Sequence, residues 1–288
     1  MGSDSNKTAA EHAAMNAAAW DEIGIERRAW LDGLGFDAAF FKAGRSTLSS
    51  VELEALGDLR GKRVLHLQCA TGEDTLSLAN CGATVTGLDV SAVEVEEARA
   101  KAAAAGIAAS FEVADVQALP ERFRQAAFDV VYTGLGALVW LDDIDGWARG
   151  ISEALTPGGT FVLYEEHPLE YVFEEIGGRL VVVHSYFEKA PEYETGWGHF
   201  PTGRGLATKV EFSWTIGDVV SSLGRYSVAT VELTELPGWA ASPDGTRRYS
   251  LERFPELVAE DAGKVPVAVL IRARKVQAAP GDRPGTRL

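Results

Sequence analysis

Cysteine is scarce in this 288-residue chain. Cys69 and Cys81 are the only two, too few for a disulfide framework or a cysteine-rich zinc site. No apolar run approaches the ~20 residues of a membrane-spanning helix. The amino terminus, MGSDSNKTAAEHAAM, lacks the basic start and apolar stretch of a secretion signal. Positive charge is short as well, with 27 Lys and Arg against 42 Asp and Glu and a net charge of −15. A surface of that sign repels phosphate backbones and anionic lipid, so nucleic acid and membranes are poor partners. Low cysteine content fits a reducing compartment, and a cytoplasmic location is expected.

Hydrophobic residues (46%) and charged residues (24%) stand close to the globular average. Residues 8–31 are Ala-rich, carry Met15, Trp20, Ile23 and Trp30, and read as one or two amphipathic helices. From residue 62 strands and helices alternate. Residues 62–67 form an apolar strand that ends in a small-residue turn, Gln68-Cys69-Ala70-Thr71-Gly72. A helix over 73–80 follows, stopped by Gly82, and then a strand over 83–88 that ends at Asp89. Ser91 and Glu94 make a capping box for a helix to about 105, with Gly106 beyond it. Strands over 110–113 and 128–132, a helix over 142–155, a turn at 156–159 and a strand over 160–164 complete the series. This alternation predicts an α/β fold with a doubly wound, mostly parallel sheet.

After residue 166 the alternation stops. Strand-like pieces at 180–183, 210–214 and 228–236, a helix near Asp218 and a last strand at 265–273 remain, before a Pro/Gly-rich tail over 277–288 that reads as disordered. Eleven of the 26 aromatic residues fall between Tyr171 and Trp239, which fits either a second small core or the wall of an apolar pocket. The expected division is a helical lid segment over 1–45, a cofactor-binding core over 46–166, a substrate cap with final strands over 167–276, and the tail.

In a doubly wound sheet, ligands bind at the carboxyl ends of the strands where the strand order reverses. A nicotinamide fingerprint would want glycines at 68, 70 and 73, where Gln68, Ala70 and Glu73 stand. Asp89, at the end of the second strand, can accept hydrogen bonds from both hydroxyls of a ribose.

Several motifs resemble the class I S-adenosylmethionine-dependent methyltransferases. VLHLQCATGEDTLSLANCGATVTGLDVS is similar to the first two conserved motifs of that family, ADVQALP (114–120) to the third, and FDVVYTGLGALVWLDD and LTPGGTFVLYEEHP to the later ones. LHLQC, YTGLGALVWL, FSWTIGDVVSSL and GRSTL (44–48) further resemble a bacterial subgroup with small-molecule acceptors. The resemblance implies a Rossmann-like core over roughly 40–168, S-adenosylmethionine as cofactor, and methyl transfer to O, N, S or C of a small, partly apolar metabolite, of the kind found in secondary pathways. It implies cofactor contacts from Arg45 (the cofactor carboxylate), Gln68, Cys69, Ala70, Gly72, Asp89, Val90, Asp115 (the adenine amine), Val116 and Thr133. His66, Gln68, Ala70 and Trp214 depart from the family pattern, the first where an Asp is usual.

His167, which directly follows the fifth strand, is the first choice for a general base, with a strand-end structural histidine as the bland alternative. Tyr132 and Thr133 would line the transfer site, and Tyr132 is the second catalytic candidate, though it reads equally as a packing residue. His199 reads as a loop histidine. Asp142, Asp143 and Asp145 open a helix, where carboxylates favour the dipole, so no metal is expected. The partner is a small acceptor, and a homo-oligomer stays open. Two other readings are a methyltransferase fold using the cofactor for non-methylating chemistry, and a non-enzymatic cofactor-binding or assembly protein.

Overall fold

The computed structural model describes residues 7–197, 206–245 and 263–276. The expected tail over 277–288 and His199 lie outside them. The chain opens with helices α1 (Ala9–Gly33), α2 (Ala38–Lys42) and α3 (Ser50–Leu56). The alternating part follows: β1 (Arg63–Leu67), α4 (Glu73–Asn80), β2 (Thr84–Asp89), α5 (Ala92–Ala105), β3 (Ser110–Val113), β4 (Phe128–Thr133), α6 (Ile144–Ala154) and β5 (Leu155–Glu166). Two short strand pairs come next, β6 (Phe173–Ile176) with β7 (Arg179–Val182), and β8 (Glu192–Thr195) with β9 (Thr208–Glu211). Helix α7 (Ile216–Arg225), β10 (Val228–Leu236) and β11 (Ala268–Lys275) close the fold.

Seven strands form one sheet in the order β10-β11-β5-β4-β1-β2-β3. The pairs among β1 to β5 are parallel, and β11 runs antiparallel between β5 and β10. The chain leaves β1 toward β2 and β3 and then crosses to β4 on the other flank, so the order reverses between β1 and β4. This is the expected doubly wound sheet.

Both faces of the sheet are covered, which is why its strands read as continuous apolar runs. Leu65 and Leu67 of β1 point to one face, with Val131, Phe161 and Leu163 beneath α6 and α7. Val64 points to the other, with Val162, Tyr164 and Leu78, where α3 and α4 pack. Trp147 of α6 is fully buried and meets Phe161 edge-on, with ring centroids 5.4 Å apart. Truncating such a ring to Ala costs about 3–5 kcal/mol.

Some boundaries differ from the sequence reading. Residues 8–31 belong to a single helix, α1, which starts at a Thr8/Glu11 capping box. The expected turn at 156–159 lies inside β5, where the pairing with β4 shifts register between Phe128 and Val130. The strand expected at 210–214 ends at Glu211. Strands β6 and β8 were not anticipated, because four residues are too few to establish a period. Ser91 caps α5, but Glu94 does not reach back to complete the box. Its carboxylate is drawn instead to Arg27 of α1.

Helix α1 ties the two halves of the molecule together. The Asn16 side chain donates to the carbonyl of Val210 and accepts its N–H, both at 2.9 Å, as a neighbouring strand would. His12 bridges Asp142 and Tyr193 at 2.8 Å each, and Asp21 accepts from Ser91 and from the Val93 N–H.

Candidate active site

The turn after β1 sits at the point where the strand order reverses. Gln68 and Ala70 both take left-handed backbone conformations, with φ of 56° and 47°, and Gly72 has φ of 87°. Gly72 is also required by packing, since a Cβ there would lie 2.9 Å from Cβ of Ala98 on α5. Cys69 is buried, with its sulfur against Gly87, and burial pushes its thiol well above the usual range.

Asp89 is held across this turn. One carboxylate oxygen accepts the Ala70 N–H at 2.8 Å and the other the Ser91 N–H at 3.0 Å. Burial raises its pKa, and these two N–H groups pull it back down. Asp89 lines a narrow cleft of about 50 Å³ with Gln68, Val90, Asp115, Val116 and Gln117. Ala13, Asn16 and Trp20 of α1 roof it, and Trp140 and Leu141 close its side. The Gln68 amide donates to the Ala137 carbonyl at 2.7 Å, while its oxygen is buried with no hydrogen-bond partner among the described residues. A ligand carrying a hydroxyl or ammonium donor would satisfy that oxygen. Asp115 accepts the Gln117 N–H at 2.9 Å.

A second, larger cavity of about 160 Å³ opens beside the end of β5. Its floor is apolar, from Leu163, Val219, Val269 and Ile271, and its walls include Tyr171, Phe173, Tyr186, Phe212 and Trp214. One turn of 3-10 helix, Leu138–Trp140, and the residue after it separate the two spaces. Leu138 and Val139 line the large cavity, Trp140 and Leu141 the cleft. Buried Glu165 fixes this turn, accepting the N–H groups of Gly136, Ala137 and Leu138 at 2.5–3.0 Å. Burial and the neighbouring Glu166 charge push Glu165 up to about 7.

The remaining site candidates are placed elsewhere. His167 is nearly buried. Its Nδ1 accepts the Leu169 N–H at 3.1 Å and its Nε2 lies 2.9 Å from Glu235, so both nitrogens are engaged and the ring lines neither cavity. Burial lowers its pKa against the opposing pull of Glu235. Tyr132 faces away from the large cavity, buried against His66, with its hydroxyl donating to Glu52. Glu52, desolvated and beside Asp74, is pushed up to about 7. Thr133 is buried with its hydroxyl unpartnered among the described residues. Arg45 pairs with Asp244 at 3.0 Å and lies over the Phe40 ring, outside the cleft.

Several site residues escaped the sequence reading. Arg27 donates to Thr71 of the turn at 3.0 Å and to Glu94 at 3.2 Å. Glu165 was passed over for its neighbour His167. Asn16, Gln117 and Trp140 carried no motif. Only Trp20, an aromatic among alanines, offered a local signal.

A doubly wound sheet with a buried acid at the end of its second strand and a cleft beside the first turn has the ligand-site arrangement of nucleotide-binding α/β folds. A methyltransferase domain family matches residues 64–159. The ubiquinone biosynthesis O-methyltransferase of Bordetella pertussis is 30% identical over 167 residues, covering 53% of this chain and 68% of that protein. O-methyltransferase resE of Aspergillus sclerotiorum is 32% identical over 111 residues, covering 38% of this chain and 41% of its own. Among solved structures, an S-adenosylmethionine-dependent methyltransferase from Mesorhizobium loti superimposes with a TM-score of 0.58 at 27% identity, over 78% of this chain and 95% of that one. The chain belongs to the class I S-adenosylmethionine-dependent methyltransferases, and S-adenosylmethionine is its cofactor. The donor set of the cleft suits that group, with a buried acceptor carboxylate, apolar side chains from Val90 and Val116, and an unsatisfied amide oxygen on Gln68. No described helix is long and apolar enough to cross a membrane.

Proposed function

We propose that this enzyme methylates a nucleophilic O, N or S atom of a small, partly apolar metabolite. The observation that carries the reading is the shared turn, which puts a polar cleft suited to adenosine on one side and a large aromatic cavity on the other. Relatives named O-methyltransferase support oxygen as one such atom.

When bound, S-adenosylmethionine supplies an electrophilic methyl group: the acceptor's lone pair forms the new bond, the carbon–sulfur pair returns to sulfur, and a proton leaves the acceptor where charge requires it. The chain's own contribution is to bind, orient and exclude water, and orientation alone is worth about 7–11 kcal/mol in such reactions. Asp89 takes the ribose hydroxyls, Val90 and Val116 flank the adenine, and Asp115 receives its amine. Gln68, Cys69, Ala70, Gly72 and Thr133 would hold the rest of the cofactor. The segment over 1–45 serves as a lid, and of its described residues Ala13, Asn16 and Trp20 line the cleft. His167 braces the end of β5 rather than abstracting a proton, since neither nitrogen is open to a ligand. Arg45 reaches a cofactor carboxylate only by giving up Asp244. The acceptor occupies the aromatic cavity, a place consistent with secondary metabolism.

Calorimetric titration with S-adenosylmethionine and S-adenosylhomocysteine, with NAD as control, tests the cofactor site. Micromolar binding of the first two and none of NAD is expected. Acceptor turnover should then release S-adenosylhomocysteine stoichiometrically. A converted acceptor without it would replace methyl transfer by another chemistry on the same fold.

A further inference from the structure

The mouth of the large cavity is acidic to an extent that its floor is not. Glu166, Glu174, Glu188, Glu192 and Glu211 line it in addition to Glu165, and no Lys or Arg is among the described lining residues. Glu192 and Glu211 are direct cross-strand partners in the β8–β9 pair. Like charges so placed destabilise a strand pair unless something positive lies between them.

Local partners leave much of this charge in place. Glu174 and Glu192 make no side-chain hydrogen bond or ion pair with any described residue. Glu188 accepts the N–H groups of Lys189 and Ala190 at 2.8 and 2.9 Å, which lowers its pKa and keeps it ionised. Glu166 accepts the Tyr171 hydroxyl. Two lysines approach the lining, and both are committed. Lys189 pairs with Asp218 and lies 5.2 Å from the Trp214 ring centroid. Lys209 is buried between Glu194 and Glu211 and over Trp140 and Trp197, offsetting part of the Glu211 charge. Aromatic faces beside carboxylates are the surroundings that hold amines and quaternary ammonium groups, through cation–π attraction and charge pairing.

Resting on the methyltransferase reading above, we propose that the acceptor is an amphipathic cation: an apolar or aromatic body on the floor formed by Leu163, Val269 and Ile271, with a protonated amine or quaternary ammonium at the Glu174, Glu192 and Glu211 mouth. Anionic acceptors of the same shape are repelled by that mouth.

The test uses the whole chain and three probes of similar apolar size: tryptamine, benzyltrimethylammonium and indole-3-propionate. Each is titrated calorimetrically with and without S-adenosylhomocysteine. The two cations bind at least about tenfold more tightly than the acid, and added salt weakens them, as close charge pairing requires. The double variant Glu192→Gln/Glu211→Gln lowers cation affinity by about 3–10-fold while S-adenosylhomocysteine affinity stays unchanged. Equal binding of acid and amine, no binding of either cation, or salt-insensitive binding overturns the inference, and those results need no variant to fold. Normal S-adenosylhomocysteine binding with no charge preference leaves the methyltransferase reading standing and removes this one. Loss of S-adenosylhomocysteine binding removes that reading, while the cofactor-free titrations still decide this one.

Discussion

The carboxylate of Asp89, at the end of β2, accepts the backbone N–H of Ala70, in the turn after β1, at 2.8 Å. That contact aligns the acid with the turn at the cleft that Asp89 and Gln68 border. Asp89→Ala is expected to weaken S-adenosylhomocysteine binding about 10–100-fold, the usual loss for hydrogen bonds to a charged acceptor. Asp89→Asn, which keeps one acceptor oxygen, loses less. Calorimetry reads both, and unchanged affinity would mean that the ribose is held elsewhere.

Gln68 and Ala70 keep the left-handed backbone of the glycines that commonly occupy such turns. A side chain in that region costs about 1–2 kcal/mol, while glycine adds unfolded-state entropy of about 0.4–1 kcal/mol. Ala70→Gly is therefore expected to be neutral or stabilising by up to about 1.6 kcal/mol. Gly72→Ala runs the other way, because its φ is 87° and the added methyl meets Ala98 at 2.9 Å. A loss of at least about 2 kcal/mol is expected there. Urea unfolding of the two variants side by side checks the contrast.

That turn also marks how far the sequence alone can be read. The alternation of strands and helices, α4 at 73–80, β3 at 110–113 and the placing of Asp89 followed from local period, caps and small residues, and all of them hold in the structure. The left-handed backbone at Gln68 and Ala70 is a property of the turn that residue type conceals. Arg27 meets Thr71 and Glu94, and Asn16 meets Val210, across separations of 44 to 194 residues, and no periodicity encodes such pairings. His167 drew attention as a titratable group at a strand end, but the neighbouring β10 strand, through Glu235, decides what it can do.

The Arg27 contacts hold α1 against the cofactor turn. Arg27→Met keeps the apolar stem and removes both hydrogen bonds. A stability loss of about 1–3 kcal/mol is expected, since Glu94 is left buried without its donor. Faster tryptic cleavage within α1 and weaker S-adenosylhomocysteine binding should accompany it. Faster cleavage with unaltered binding would mean that the helix covers the cleft without shaping it.

His167 is a separate case, because the expected effect is on stability and not on turnover. Its folded pKa lies below the ordinary 6.5, so below that pH the unfolded chain binds the extra proton more readily. Its contribution to stability is present above pH 6.5 and is lost as pH falls through the folded value. His167→Gln should flatten that part of the acid limb in thermal unfolding while methyl transfer proceeds. A methyl-transfer rate that collapses in a folded His167→Gln protein, and loses its neutral-pH ionisation, would return the base assignment to this residue.

Buried carboxylates act in the opposite direction at higher pH. Burial, with the nearby Asp89 and Glu73 charges, pushes Glu94 up to about 8, and the Arg27 contact at 3.2 Å offsets only part of this. Glu52 and Glu165 are pushed up to about 7. All three have an ordinary value of 4.5, so between pH 4.5 and about 8 the folded chain holds more protons on them than the unfolded chain does. Stability on their account falls as pH rises through that window. Glu94→Gln removes one of these ionisations while keeping an oxygen for Arg27, so its melting temperature should decline less than that of the parent between pH 6.5 and 8.5. Differential scanning calorimetry at those two values, both on the neutral side of His167, isolates the effect. An equal decline in parent and variant would mean that Glu94 is already ionised in the folded protein, with Arg27 as a full counter-charge.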